Sequence, residues 1–282
     1  MHSSSESNRR AGAVRLALLG LAVMAVAAAC VPTPNPGTTT TTSTTASTTT
    51  TTEAPSDIVV TDANLAWAYS QYAQYGVFAP WSMEATGERV SITTANGQDI
   101  TGLPAEAGRT YNVGNFSGGT GSLDPVTGEG TISWGDTGDW TLNAYPTLPA
   151  AGAPDETLRD PILTIDADGS GVLSFEVFIP AALDMNGDPV PAVGPTRVDI
   201  ADFDDLSQFT ATSLKATPNF AGRVYTPEAG QSPFNACGGT GGSWPSAWID
   251  FLPTSVRAHY YNTGCGGLND RKPPTPFTVS WN

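Results

Sequence analysis

PILTIDADGSGVLSFEVFIP, residues 161–180, sets the fold class of this chain. Two apolar runs flank Asp166-Ala-Asp168-Gly169-Ser-Gly171, a string of turn-forming residues, so the stretch reads as a β-hairpin. The segments around it repeat the pattern. ERVSITT (88–94) and DWTLNAY (139–145) alternate apolar and polar residues. YNVGNFSGGTGSLD (111–124) and EGTISW (129–134) lie either side of Pro125–Gly128 as two strands around a turn. TRVDIADF (196–203), FTATSLKATP (209–218), AGRVYTP (221–227) and FTVSWN (277–282) continue the series. Many short strands punctuated by Gly and Pro indicate an all-β domain, a sandwich or a barrel. Two helices are expected. ANLAWAYSQYAQYG (63–76) has Leu65, Ala68, Tyr72 and Tyr75 at helical spacing, Asp62 or Asn64 as cap and Gly76 as stop, although its Trp and Tyr also suit a strand. PSAWIDFLP (245–253) reads as a short helix started by Ser243 or Pro245.

The domain spans residues 58–282 and holds all 7 Trp and all 10 Phe of the chain, ample for a core. What precedes it is of another kind. Residues 11–30, AGAVRLALLGLAVMAVAAAC, follow Arg9 and Arg10 and form an apolar run too short and Ala-rich for a comfortable membrane span. Ending in small residues, the run reads as a secretory signal peptide over 1–29. A cysteine at the cut site resembles a bacterial lipoprotein signal, which makes Cys30 a lipidation candidate. Ala27 stands where such signals prefer Leu, and ordinary cleavage in Ala27-Ala28-Ala29 is the alternative. Residues 30–57, rich in Thr and Pro, offer nothing apolar to bury and read as a disordered stalk, a candidate for O-glycosylation. The expected location is extracytoplasmic, at the cell surface, held to the envelope by a lipid or else secreted.

Charge excludes some partners. Residues 1–29 carry three Arg and one Glu, so without them the 12 basic and 27 acidic residues become 9 and 26, a formal charge of −17. Such a surface repels nucleic acid and anionic lipid heads. If Cys30 carries lipid, Cys237 and Cys265 remain as a pair in an oxidising compartment, and a disulfide between them is expected. Closing a loop of about 27 residues, it is worth roughly 3 kcal/mol in the loop-entropy account. Metal binding by the two thiols is the weaker alternative, because no CxxC spacing exists. Neither a nucleophile elbow, nor a zinc-protease helix, nor a phosphate loop is present, and His259 is the one histidine after the signal peptide. The expectation is a non-enzyme. Asp166–Gly169 and Asp184–Asp188 have a superficial likeness to calcium loops, yet both read better as turns.

A set of separated motifs resembles the HtaA domain of actinobacterial surface haem-uptake proteins. LAW (65–67) with Tyr72 and Tyr75 is similar to its opening segment, and TGSLD (120–124), TG (127–128) and TISW (131–134) to its first hairpin. LRDP (158–161) with LTIDADGSGVL (163–173) resembles its most recognisable stretch. WIDFL (248–252), YYNTG (260–264) and DRKPPTP (270–276) fit its closing segment. The resemblance implies an antiparallel β-sandwich with one or two short helices. It implies haem as cofactor, bound through an axial Tyr, with haem or haem-carrying proteins as partners. Tyr75 is the candidate iron ligand, with Tyr72 next. Tyr72 and Trp81 supply apolar walls, and the closing segment adds His259 and Tyr260 as candidate cofactor-binding residues. A phenolate is a hard ligand suited to ferric haem. The family places a His after the first hairpin, hydrogen-bonded to the ligating Tyr. WGDTGDW (134–140) has none, which leaves Asp136, Asp139 or His259 as substitutes. A cell-surface structural or adhesive module without cofactor is the other reading.

Overall fold

The computed structural model describes residues 56–76, 79–136, 138–146, 153–184 and 187–282. The expected signal peptide, Cys30 and the expected stalk up to residue 55 lie outside them. The described chain is an all-β sandwich in which every strand pairing is antiparallel.

The hairpin at 161–180 is central. β7 (Glu156–Ile165) and β8 (Gly171–Ile179) pair across a turn in which Asp168 Oδ1 accepts from Ser170 N at 3.0 Å and Ser170 Oγ at 2.7 Å. β8 pairs on its other side with β11 (Val193–Phe203). From β7 the sheet runs on through β5 (Gly130–Ser133), β4 (Thr110–Leu123), β1 (Ile58–Trp67), β14 (Phe277–Ser280), β13 (Ser213–Ala216) and β12 (Leu206–Phe209). Three strands lie off this path. β3 (Val90–Asn96) adds to the first half of β4, β6 (Asp139–Asn143) to the first half of β7, and β2 (Ser82–Ala85) to β6. A two-stranded ribbon, β9 (Ala182–Leu183) with β10 (Pro189–Val190), stands apart.

The sheet turns back on itself, and its two inner faces meet through aromatic rings. Trp67 of β1 lies 6.3 Å from Trp140 of β6 and 6.2 Å from Phe175 of β8. Phe203 of β11 lies 5.9 Å from Phe277 of β14. Large side chains fit because their neighbours are small. A Cβ on Gly114 would stand 2.5 Å from the Trp140 ring, and one on Gly119 2.6 Å from Trp134 Nε1, which donates to Ala63 O at 2.9 Å.

Three segments depart from the sequence expectations. Residues 63–76 are not one helix. β1 continues to Trp67 with Ala63, Leu65 and Trp67 buried in alternation, and only α1 (Gln71–Tyr75) is helical. Leu65 has both Phe116 and Val279 as strand partners. Neighbours on both sides satisfy the backbone, whereas an isolated short helix is marginal. The helix cap is Ser70, whose Oγ accepts from Ala73 N at 3.1 Å, rather than Asp62 or Asn64; Gly76 ends it as expected. Residues 221–227 are no strand either. Ala221 makes a single bridge to Gly242, and Arg223 turns its guanidinium onto Asp202 of β11. FTATSLKATP is split between β12 and β13 by a turn in which Thr210 N donates to Ser213 O at 2.8 Å.

α3 (Ser246–Phe251) forms where expected, behind Pro245. With α1, α2 (Gly97–Thr101) and α4 (Thr254–Arg257) the described residues contain four short α-helices, more than the one or two expected. None is long and apolar enough to cross a membrane. Cys237 and Cys265 form the expected disulfide.

Gly114→Ala is expected to lower stability by about 1–3 kcal/mol, the usual cost of overpacking a filled core. Urea unfolding at equilibrium measures it; an unchanged midpoint would mean that Trp140 has room to yield.

Candidate functional site

A cleft of about 890 Å³ lies where α1, the end of β6, the β9–β10 ribbon and the segment after α4 converge. Pro191, Val193, Phe251 and Leu252 contribute apolar wall, and Tyr72, Tyr145, His259 and Lys272 contribute polar atoms.

Tyr72 is aimed by α1. Gln74 staples that single turn to β4, its Nε2 donating to Ala68 O at 2.8 Å and Asn112 O at 3.0 Å while its Oε1 accepts from Asn112 N at 2.8 Å. The Tyr72 ring is nearly buried, 5.5 Å from the His259 ring and edge-on to Trp81 at 6.1 Å. Trp81 packs behind this pair, 5.4 Å from His259, and supports the wall without lining it.

His259 follows α4, its N–H donating to Val256 O at 3.0 Å. Its Nε2 is 2.9 Å from the Tyr145 hydroxyl, and its Nδ1 is buried with no hydrogen-bond partner among the described residues. Burial first, then the nearby Lys272 charge, lowers the imidazole to about 3, so it is neutral at ordinary pH. Burial raises the phenols of Tyr72 and Tyr145. Lys272 is buried and lowered to about 8 by burial; its Nζ donates to Ala258 O at 2.7 Å and Tyr261 O at 3.0 Å.

Of the four residues picked out by sequence, the structure brings Tyr72 and His259 together. Tyr75 and Tyr260 lie elsewhere. The Tyr75 hydroxyl donates to Glu106 Oε2 at 2.6 Å, so neither Asp136 nor Asp139 is its acceptor. The Arg271 and Arg109 guanidinium carbons stand 3.6 and 4.4 Å from the Tyr75 ring centre. Glu106 also accepts from Tyr111 at 2.9 Å and pairs with Arg271 at 3.0 Å, and these donors hold its carboxyl below the usual range against the effect of burial. This network ties the sheet edge to the chain's closing segment.

Tyr260, next to His259, does not line the cleft. Its hydroxyl donates to Glu156 and lies 3.0 Å from that of Tyr69, which is 3.3 Å from the same carboxylate oxygen. All three side chains are buried. Tyr69 sits at φ +65, a left-handed conformation that costs an L residue on the order of 1–3 kcal/mol and persists only under constraint. Thr275 N donating to Tyr69 O at 2.7 Å is one such constraint.

Sequence reasoning passed over Tyr145 and Lys272. Tyr145 ends a strand before a proline, and Lys272 stands between Arg271 and two prolines; neither local pattern signals a site. Comparison with family models, with curated proteins and with solved structures finds no match to this chain. Among the described residues no group of three or more His, Cys, Asp or Glu is placed to hold a metal ion. The cleft's donors are instead two phenols and a neutral imidazole, a set compatible with a hard ferric centre.

Burial pushes the Glu156 carboxyl up to about 8, against the hydrogen bonds from Tyr260 and Tyr69, which pull it down. A folded value above the unfolded one means the native state holds this proton more tightly. The stabilisation is therefore complete below the unfolded value near 4.5 and is lost as pH rises through about 8. His259 has the opposite sign, with stability gained as pH rises from about 3 to the model-peptide value of 6.5. Between about pH 6.5 and 8 the Glu156 effect stands largely alone. Thermal unfolding is expected to show the domain losing stability over that interval, by on the order of 1–2 kcal/mol, and Glu156→Gln to remove most of the slope. A parent curve flat over the interval would mean that Glu156 titrates as it does in the unfolded chain.

Proposed function

We propose that the domain binds haem in the Tyr72–Tyr145–His259 cleft and serves haem capture outside the cytoplasm, on a stalk tethered through Cys30. The observation that carries the reading is the Tyr145 hydroxyl 2.9 Å from His259 Nε2 at an apolar-walled cleft. The HtaA-like motifs call for a tyrosine supported by a histidine hydrogen bond, and the first hairpin lacks that histidine. His259 supplies the partner from the other end of the domain, for Tyr145 rather than Tyr75.

In this reading Tyr145 is the residue that would hold the iron, with Tyr72 beside it. The bound group would supply a ferric centre in need of an anionic oxygen donor. The neutral His259 would accept the phenol's hydrogen bond at Nε2 and so orient the hydroxyl. Trp81 packs against the imidazole, and Pro191, Val193, Phe251 and Leu252 would contact the apolar part of a bound group. Tyr75 keeps a structural role.

Haem titration followed in the Soret region tests this. The parent is expected to give a high-spin ferric spectrum. Tyr145→Phe keeps the ring and removes the donor oxygen, and it is expected to weaken binding by a factor of about ten or more, since a good charged contact is worth 1.5–3 kcal/mol. His259→Ala should weaken binding less, Tyr72→Phe less again, and Tyr75→Phe hardly at all. An unchanged spectrum in Tyr145→Phe removes it as ligand. The commitment of the Tyr75 hydroxyl to Glu106 favours a second reading, a surface structural or adhesive module without cofactor; a parent that leaves free haem unchanged would establish that reading over the first.

A further inference from the structure

We propose that the cleft recognises a flat, apolar organic molecule bearing a carboxylate, and that the ammonium of Lys272 is the group that meets this carboxylate. The proposal rests on the reading of the cleft as a ligand site, and it concerns the charge of the ligand rather than its metal.

Lys272 is 5 % exposed and lines the cleft. A buried ammonium is costly unless a charge or full hydrogen bonding compensates it. Its two carbonyl acceptors, on Ala258 and Tyr261, take two of its three N–H groups. No carboxylate forms an ion pair with it among the described residues. Asp184, the acid on the cleft wall among the described residues, accepts from Asp188 N at 2.9 Å, and burial is what lowers Lys272. The cleft's other cation differs in this respect. Arg257 is paired with Glu228 at 2.5 Å and donates to Leu252 O and Asp250 O, so its charge is compensated within the protein.

A second orphan lies close to the first. His259 Nδ1 is buried without a partner among the described residues, and Lys272 is near enough for its charge to depress the imidazole. Lys272 and the His259 ring both line the cavity, the ammonium with no ion-pair partner among the described residues, and the Tyr72 ring centre is 5.8 Å from Lys272 Nζ. A carboxylate oxygen satisfies the third N–H of the ammonium. The surrounding wall of Pro191 and Phe251 suits the apolar body of such a molecule. The chain's formal charge of −15 repels anions at long range, so the selectivity has to come from contact inside the cleft.

Two fluorescent probes of nearly the same ring system separate charge from shape. Anilinonaphthalene sulfonate is anionic, its sulfonate standing in for the carboxylate; phenylnaphthylamine is neutral. The full chain is expected to bind the anion at least about tenfold more tightly than the neutral amine, as the loss of a charged contact implies. Lys272→Met is expected to abolish that preference while still binding the amine, which also shows that the cleft is folded. Should the variant fail to fold for want of its bonds to Ala258 and Tyr261, displacement on the parent decides: protoporphyrin should expel the bound anion and its dimethyl ester should not. Equal affinity of the parent for the two probes, binding of neither, displacement by the ester, or an anion preference that survives in folded Lys272→Met would overturn the proposal. The probes contain no iron, so failure of Tyr145 as haem ligand leaves these outcomes intact.

Discussion

The indole of Trp67 is the point on which the structure turns. It lies at the end of β1, fully buried, with the rings of Tyr69, Trp140, Phe175, Trp244 and Phe277 all within 6.3 Å. These rings come from both inner faces and from the closing segment, so one side chain joins the layers of the sandwich. Its Nε1 donates to Thr275 O at 2.9 Å, which satisfies the indole and ties the start of the domain to its end. Each aromatic pair adds roughly 0.5–1.5 kcal/mol beyond the area it buries. The strained backbone of Tyr69, two residues on, is affordable because this cluster grips the ring.

The polar interior is arranged outward from that cluster in two directions. One leads through Tyr69 and Tyr260 to Glu156, a carboxyl that burial keeps largely protonated and that two phenols complete. Both phenols meet the same carboxyl oxygen, Oε2. The other leads through Trp81 to Tyr72, His259 and Lys272, where the accounting is left open. An imidazole nitrogen and an ammonium proton there have fewer partners than their burial calls for. The two sets are separated by a single peptide link at His259–Tyr260.

The β class was legible because it is a local property. The runs at 161–180 alternate or stay apolar over strand lengths, and the Asp-Gly-Ser turn between them needs only its own backbone conformation. The short helix at 246–251 and the Cys237–Cys265 pair were legible for similar reasons, Pro245 marking a start and the exported context fixing the thiol chemistry. The stretch 63–76 misled. Leu65, Tyr72 and Tyr75 fall at helical spacing, but Ala63, Leu65 and Trp67 fall equally well at strand spacing, and no residue within the segment chooses between them. β4 and β14, which do choose, come from about 50 and 210 residues further along the chain.

The site shows the same division more sharply. The HtaA-like motifs, and not composition or charge, were what singled out Tyr72, Tyr75, His259 and Tyr260 as candidate donors. Which tyrosine faces which partner depended on contacts across 114 residues for Tyr145 and His259 and 31 for Tyr75 and Glu106. Backbone propensity and local turn chemistry act between near neighbours and are written in order along the chain. The pairing of a buried polar atom is a three-dimensional accounting of all its neighbours at once, and only the packed sandwich closes or leaves open that account.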